Sequence, residues 1–148
     1  MPHFGLMDEA RMTPGEAALL RSRLHMRSGR RLLREGKTGH AVATIYDALG
    51  SAMRWRALAL GEGTHAAAGV FGDMEDEKTL YHGLLSTGAL SMHCDYGRLE
   101  TLVEKALDGS ATPDDGKEVL RTAEDIMTQL GVLPFDEATL PPEKPPAS

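Results

Sequence analysis

Residues 38–60 read TGHAVATIYDALGSAMRWRALAL, and this stretch decides the fold. Val42, Ile45, Leu49, Ala52 and Met53 recur at spacings of three and four, which places them on one face of a helix. Small residues crowd the same stretch: Ala41, Ala43, Ala48, Gly50, Ser51, Ala52, Ala57 and Ala59. They let neighbouring helices approach closely. Gly50 costs roughly 1 kcal/mol against alanine in a helix interior, so a packing contact is the expected reason for it. The pattern predicts the central, most buried helix of a bundle. Its large groups are Tyr46, Trp55 and Arg56.

Working outward, 148 residues form one domain, large enough to bury about 70% of its unfolded surface without staples. Aromatic content is only 5%, while Leu, Ala and Met are frequent, which favours helix packed on helix. The lone cysteine, Cys94, excludes an internal disulfide and any cysteine-rich metal site. A reducing cytoplasm suits such a chain. No apolar run approaches the roughly 20 residues of a membrane span, and the first twelve residues lack the basic start and apolar core of a signal peptide. The net charge of -6 is unevenly placed. Residues 1–72 hold 10 Lys+Arg against 6 Asp+Glu, and residues 73–148 hold 6 against 16. An acidic chain is no generic nucleic-acid binder, although a basic face on the first helix can still be a local site.

Residues 1–12 read as a flexible arm. Thr13, Pro14 and Glu16 form a helix-start signal with a capping box, and the first helix runs to about Arg34 before Gly36. Arg23, Arg27, Arg30 and Arg34 form a basic stripe along it. The short link Gly36–Gly39 makes the first two helices antiparallel neighbours. The central helix ends near Gly61, and the glycine-rich residues 61–72 read as a loop crossing one end of the bundle. A third helix is predicted from Asp73 towards Met92, with a break around residues 93–95. Asp95 caps a fourth helix that Gly109 ends. Thr112-Pro113-Asp114-Asp115 starts a fifth, which stops at Gly131. The domain spans 13–133. The tail 134–148 holds five of the eight prolines and is expected to be extended or disordered.

The order of these signals resembles the HEPN family of small helical bundles over about Leu19 to Leu130. Three pieces carry the likeness. Ser28-Gly29-Arg30-Arg31-Leu32-Leu33-Arg34-Glu35-Gly36, then Ala41-Val42 and Tyr46-Asp47-Ala48, is similar to the family's passage into its second helix. His65 and Phe71 in the glycine-rich loop match its glycine, histidine, phenylalanine order. Cys94-Asp95-Tyr96 resembles its Ala-Asp-Tyr. The resemblance implies an up-and-down helical bundle and a homodimer. It also implies a nucleotidyltransferase-type protein partner, a nucleotide-binding role, or a metal-independent ribonuclease of toxin–antitoxin systems. The family's catalytic arginine and histidine would fall at Ser91 and Tyr96. Neither supplies a base near neutral pH or a cation for a developing phosphorane, so the resemblance points away from ribonuclease activity.

Other chemistry is weighed against plainer roles. The histidines His3, His25, His40, His65, His82 and His93 show no helical metal spacing and read as scattered surface or helix-end groups. The arginine stripe is either a phosphate or RNA site, or a solvated face that pairs with the acidic second half of the chain; the second reading is preferred. Tyr46, Arg54, Arg56, His65 and Tyr96 form the candidate ligand-binding cluster, against an alternative of core tyrosines and surface arginines. Gly61-x-Gly63 lacks the context of a phosphate-cradling loop. Ser51 and Ser91 have no recognisable base partner. The sequence therefore predicts an all-α, up-and-down, HEPN-like bundle of about five helices, cytoplasmic and homodimeric, needing no cofactor and no metal. Its expected role is a non-catalytic binding or regulatory module for a nucleotide or a nucleotidyltransferase-type partner. The alternatives are a ribonuclease using His65 or His93 with Arg56, and a purely structural adaptor.

Overall fold

The computed structural model describes residues 12–63, 76–91 and 95–142, with side-chain positions for all of these except 61–63. Among them the chain is all-helical, without a strand: α1 (Pro14–Arg34), α2 (Thr38–Gly63), α3 (Glu77–Ser86), α4 (Tyr96–Leu107) and α5 (Pro113–Leu130), followed by a short 3-10 turn at Glu137–Thr139. The expected helical bundle is observed. No helix among the described residues is long and apolar enough to cross a membrane.

The local code works where it is strongest. Thr13 accepts a hydrogen bond from the Glu16 amide while the Glu16 carboxylate takes the Thr13 amide, at 3.1 and 3.3 Å. Thr112 and Asp115 repeat this reciprocal capping at the start of α5. Each pair satisfies two backbone donors that a helix start otherwise leaves open. At the other end of α1, Gly36 adopts φ 78°, and the Lys37 amide reaches back to the Leu32 carbonyl at 2.9 Å. That left-handed residue closes the helix and turns the chain at once into α2.

Helix α2 is the axis of the molecule, and it packs on α1, α3, α4 and α5. Val42, Ile45, Leu49, Ala52 and Met53, the face read from the periodicity, are all fully buried. Close approach depends on glycine. A Cβ on Gly29 of α1 would stand 2.4 Å from Ile45 Cγ1, so α1 lies directly against the side chain of the central helix. Gly50 is explained in the same way, since a Cβ there would meet Glu77 Cγ at 3.1 Å. The start of α3 rests on the backbone of α2 at that point.

Two expectations need correction. The third helix ends at Ser86 rather than near Met92, because Gly88 takes φ 81° and the Leu90 amide bonds back to the Leu84 carbonyl. Its cap is Asp76, whose side chain accepts from the Lys78 amide, not Asp73. The second correction concerns residues 134–142, which are neither extended nor unstructured throughout. Asp136 caps the 3-10 turn, and Phe135 packs against the core beside buried Val132 and Leu133. Aromatic and aliphatic groups just after Gly131 give this segment apolar surface to bury, which its proline content conceals.

Candidate functional site

Helices α2 and α4 bring Tyr46 and Tyr96 together, with their hydroxyl oxygens 3.0 Å apart. Tyr81 of α3 stacks on Tyr96, ring centroids 4.4 Å apart and 23° between planes. Burial pushes the Tyr96 hydroxyl far above the usual tyrosine value, and its bond to Tyr46 pushes it the same way. Burial also raises Tyr46, aided by the nearby Glu77, Glu100 and Asp76 carboxylates and opposed by its bond to Tyr96. Neither phenol can act as a base near neutral pH. Their bond ties α2 to α4, the stacking of Tyr81 on Tyr96 adds α3, and the two hydroxyls bond to each other rather than to backbone.

The remaining members of the sequence cluster separate. Arg54 and Arg56 are two residues apart on α2, roughly 200° around the helix, and they face opposite sides. His65 lies outside the described residues, as do His93 and Cys94. Ser91 is held by its amide and hydroxyl donating to Gln129 Oε1 at 2.9 and 3.0 Å.

The basic stripe of α1 faces the C-terminal segment. Arg23 donates through Nε and Nη2 to the Val132 carbonyl at 3.4 and 3.3 Å. Arg30 pairs with Glu124 at 2.9 Å and Glu137 at 3.4 Å. Both guanidinium groups lie against the Phe135 ring, 5.6 and 5.7 Å from its centroid. Arg27 is buried, and Arg34 is exposed. The stripe is therefore partly covered by acidic and aromatic groups from the second half of the chain, and it is not an open anion-binding face.

The polar cleft lies on the other side of α1. Arg21, His25, Asp47, Gly50, Ser51, Arg54 and Glu77 line a pocket of about 330 Å³. Arg21 and His25 stand one turn apart on α1, as do Asp47 and Ser51 on α2, with Arg54 a further turn along. Glu77, at the start of α3, closes the third side over Gly50. The close contacts of Gly29 with Ile45 and of Gly15 with Trp55 fix the antiparallel register. That register sets Arg21 towards the Ser51–Arg54 end and His25 towards the Asp47 end. Asp47 stands at the mouth, exposed, yet the protein packed around its carboxyl raises its pKa, with Arg54 pulling the other way. His25 is 4% exposed, so the surface or helix-end reading of this histidine is wrong.

Of the described residues among the sequence candidates, this cleft contains only Arg54. The signal for the others was present as polar positions 47, 51 and 54 along one edge of an apolar helix, facing polar positions 21 and 25. Among the described residues no group of three or more His, Cys, Asp or Glu side chains could hold a metal ion. No protein-family model matches the chain, and neither a curated protein nor a solved structure matches it. The likeness to HEPN proteins accordingly rests on the sequence motifs.

Proposed function

We propose that this chain is a non-catalytic, HEPN-like binding module whose ligand site is the α1–α2 cleft, and that its ligand is a small phosphorylated molecule of the nucleotide class. The observation that carries this is the convergence of Arg21 and Arg54, from two different helices, on one pocket that also holds Asp47, Ser51 and Glu77. Two guanidinium groups from separate elements suit a phosphate, because each presents a planar fork of donors. The carboxylates at the Asp47 end suit hydroxyl and amino donors of a sugar or base. The volume is at the small end for ligand pockets, which fits a mononucleotide fragment rather than a long polymer.

Catalysis is not part of the proposal. The Tyr46–Tyr96 pair stays protonated, and Ser91 stands where the family's arginine would act. The homodimer and nucleotidyltransferase-type partner implied by the family likeness belong to the same proposal and rest on that likeness alone. A panel of nucleoside mono-, di- and triphosphates, screened by thermal unfolding at fixed ionic strength, tests the reading. A ligand at a hundred times its dissociation constant should stabilise the fold by about 2.7 kcal/mol. No stabilisation by any member of the panel would remove it.

A further inference from the structure

Gly50 lies in the buried interior of α2, away from any turn, where glycine weakens a helix relative to alanine. A Cβ there would meet the Glu77 side chain at three atoms: Cγ at 3.1 Å, Oε1 at 3.2 Å and Cδ at 3.6 Å. The bare backbone is therefore a seat on which a carboxylate from α3 rests. An acidic residue in the first turn of a helix is ordinary, because it suits the helix dipole. That role needs no seat, since Glu77 would serve it equally well turned out to solvent. Instead Glu77 is half-buried and lines the α1–α2 cleft.

The place of the seat decides what the carboxylate can reach. Asp47, Gly50, Ser51 and Arg54 follow one another at spacings of three, one and three along one edge of α2. Glu77 thus enters the cleft between Asp47 and Arg54, about 6 Å of helix rise from Arg54. Arg21 comes in from α1 at the Arg54 end. A carboxylate in this position only accepts hydrogen bonds, and it repels a further phosphate group. It takes well a pair of neighbouring hydroxyl donors, one to each oxygen, which is what the 2′- and 3′-hydroxyls of a ribose present. In a nucleoside 5′-phosphate that diol lies one sugar ring from the phosphate, a separation of the same size as the rise from Gly50 to Arg54. Dinucleotide-binding folds likewise hold a ribose hydroxyl with an acidic side chain.

We propose that Glu77, seated on Gly50, determines the sugar specificity of the cleft. It binds the ribose 2′,3′-diol of a nucleotide whose phosphate Arg21 and Arg54 hold, and so selects ribonucleotides over their 2′-deoxy forms. This rests on the nucleotide reading of the cleft and adds recognition of the sugar to it. Gly50 is a positioning residue that acts through Glu77.

The test is calorimetric titration of the full chain with nucleoside mono-, di- and triphosphates, each beside its 2′-deoxy form, at constant ionic strength. The parent should bind the ribo form about tenfold more tightly or better, as expected for one hydrogen bond to a charged group. Glu77→Ala should bring the two forms to nearly equal affinity while still binding both. Gly50→Ala keeps the carboxylate but displaces it, and should narrow the ratio in the same direction. Arg54→Gln should weaken both forms alike and leave the ratio in place. Equal binding of the two forms by the parent, with both still dependent on Arg54, would overturn the sugar assignment and leave the nucleotide reading standing. A ratio that survives Glu77→Ala would do the same, and should that variant not fold, Gly50→Ala decides by the same criterion. Binding of neither form of any nucleotide would remove both.

Discussion

Tyr46 and Tyr96, fifty residues apart in sequence, share one hydrogen bond of 3.0 Å between their hydroxyl groups. Each hydroxyl is the other's partner across the α2–α4 contact. Removing either leaves its neighbour under-satisfied in a partly desolvated place. Tyr96→Phe and Tyr46→Phe should each cost about 1 kcal/mol in chemical denaturation, and the double variant should cost less than the sum. Strict additivity would show that the bond contributes nothing.

The same pair sets an alkaline limit. Burial raises both hydroxyls above the ordinary tyrosine value. The unfolded chain then loses these protons first, at about pH 10, so folded stability should fall as pH rises beyond that point. An ultraviolet titration of the native protein should show two tyrosines that do not ionise with an ordinary midpoint. Three ordinary tyrosines would contradict the geometry.

Asp115 sets an acid counterpart. Its carboxylate accepts from Lys105 Nζ at 2.7 Å and from the Thr112 amide at 3.0 Å. The Lys105 contact, with the Thr112 amide second, holds its pKa down to about 2. A depressed carboxylate stabilises the fold above its unfolded value of about 3.9 and loses that contribution as pH falls towards 2. Melting midpoints measured from pH 5 to 2 should therefore fall less steeply for Asp115→Asn than for the parent. Identical slopes would show that Asp115 titrates normally.

Among the described glycines, Gly29 leaves the least room for a side chain. Its missing Cβ would fall 2.4 Å from Ile45 Cγ1, and Ile45 is fully buried. Gly29→Ala should destabilise by about 1–3 kcal/mol through overpacking, despite alanine's better helix propensity. Gly116→Ala meets Leu33 Cδ2 at 2.7 Å, the end of a side chain that is only partly buried and can turn aside. It should cost less. The reverse order in urea denaturation would place the close approach elsewhere.

The sequence was most informative where one residue type has one physical use. Thr13 with Glu16, Thr112 with Asp115, and the three-four spacing from Val42 to Met53 marked helix starts and the core face without further context. The end of α3 was harder to read, because the apolar residues Leu85, Ala89 and Leu90 continue a helical pattern past Gly88, and only the backbone shows that Gly88 turns left-handed. The site was less legible than the fold. Tyr46 and Tyr96 stand out as two members of a candidate ligand cluster, and the structure joins them by a hydrogen bond that ties α2 to α4. Arg54 and Arg56 lie near the same end of α2, but two residues along a helix put them on different faces. Placing Arg21 and His25 in the cleft requires the register of α1 against α2, which no local pattern carries.

The cleft between these helices is the central claim, and calorimetric titration of the full chain with nucleotides tests it most directly. Each arginine–phosphate contact is worth about 1.5–3 kcal/mol, or roughly ten- to a hundredfold in affinity. The parent should bind at least one nucleotide at a single site. Arg54→Gln and Arg21→Gln should each weaken that binding by such a factor, and Arg56→Gln, on the far side of α2, should leave it unchanged. Binding that survives both cleft variants, or that depends on Arg56 instead, would contradict the account.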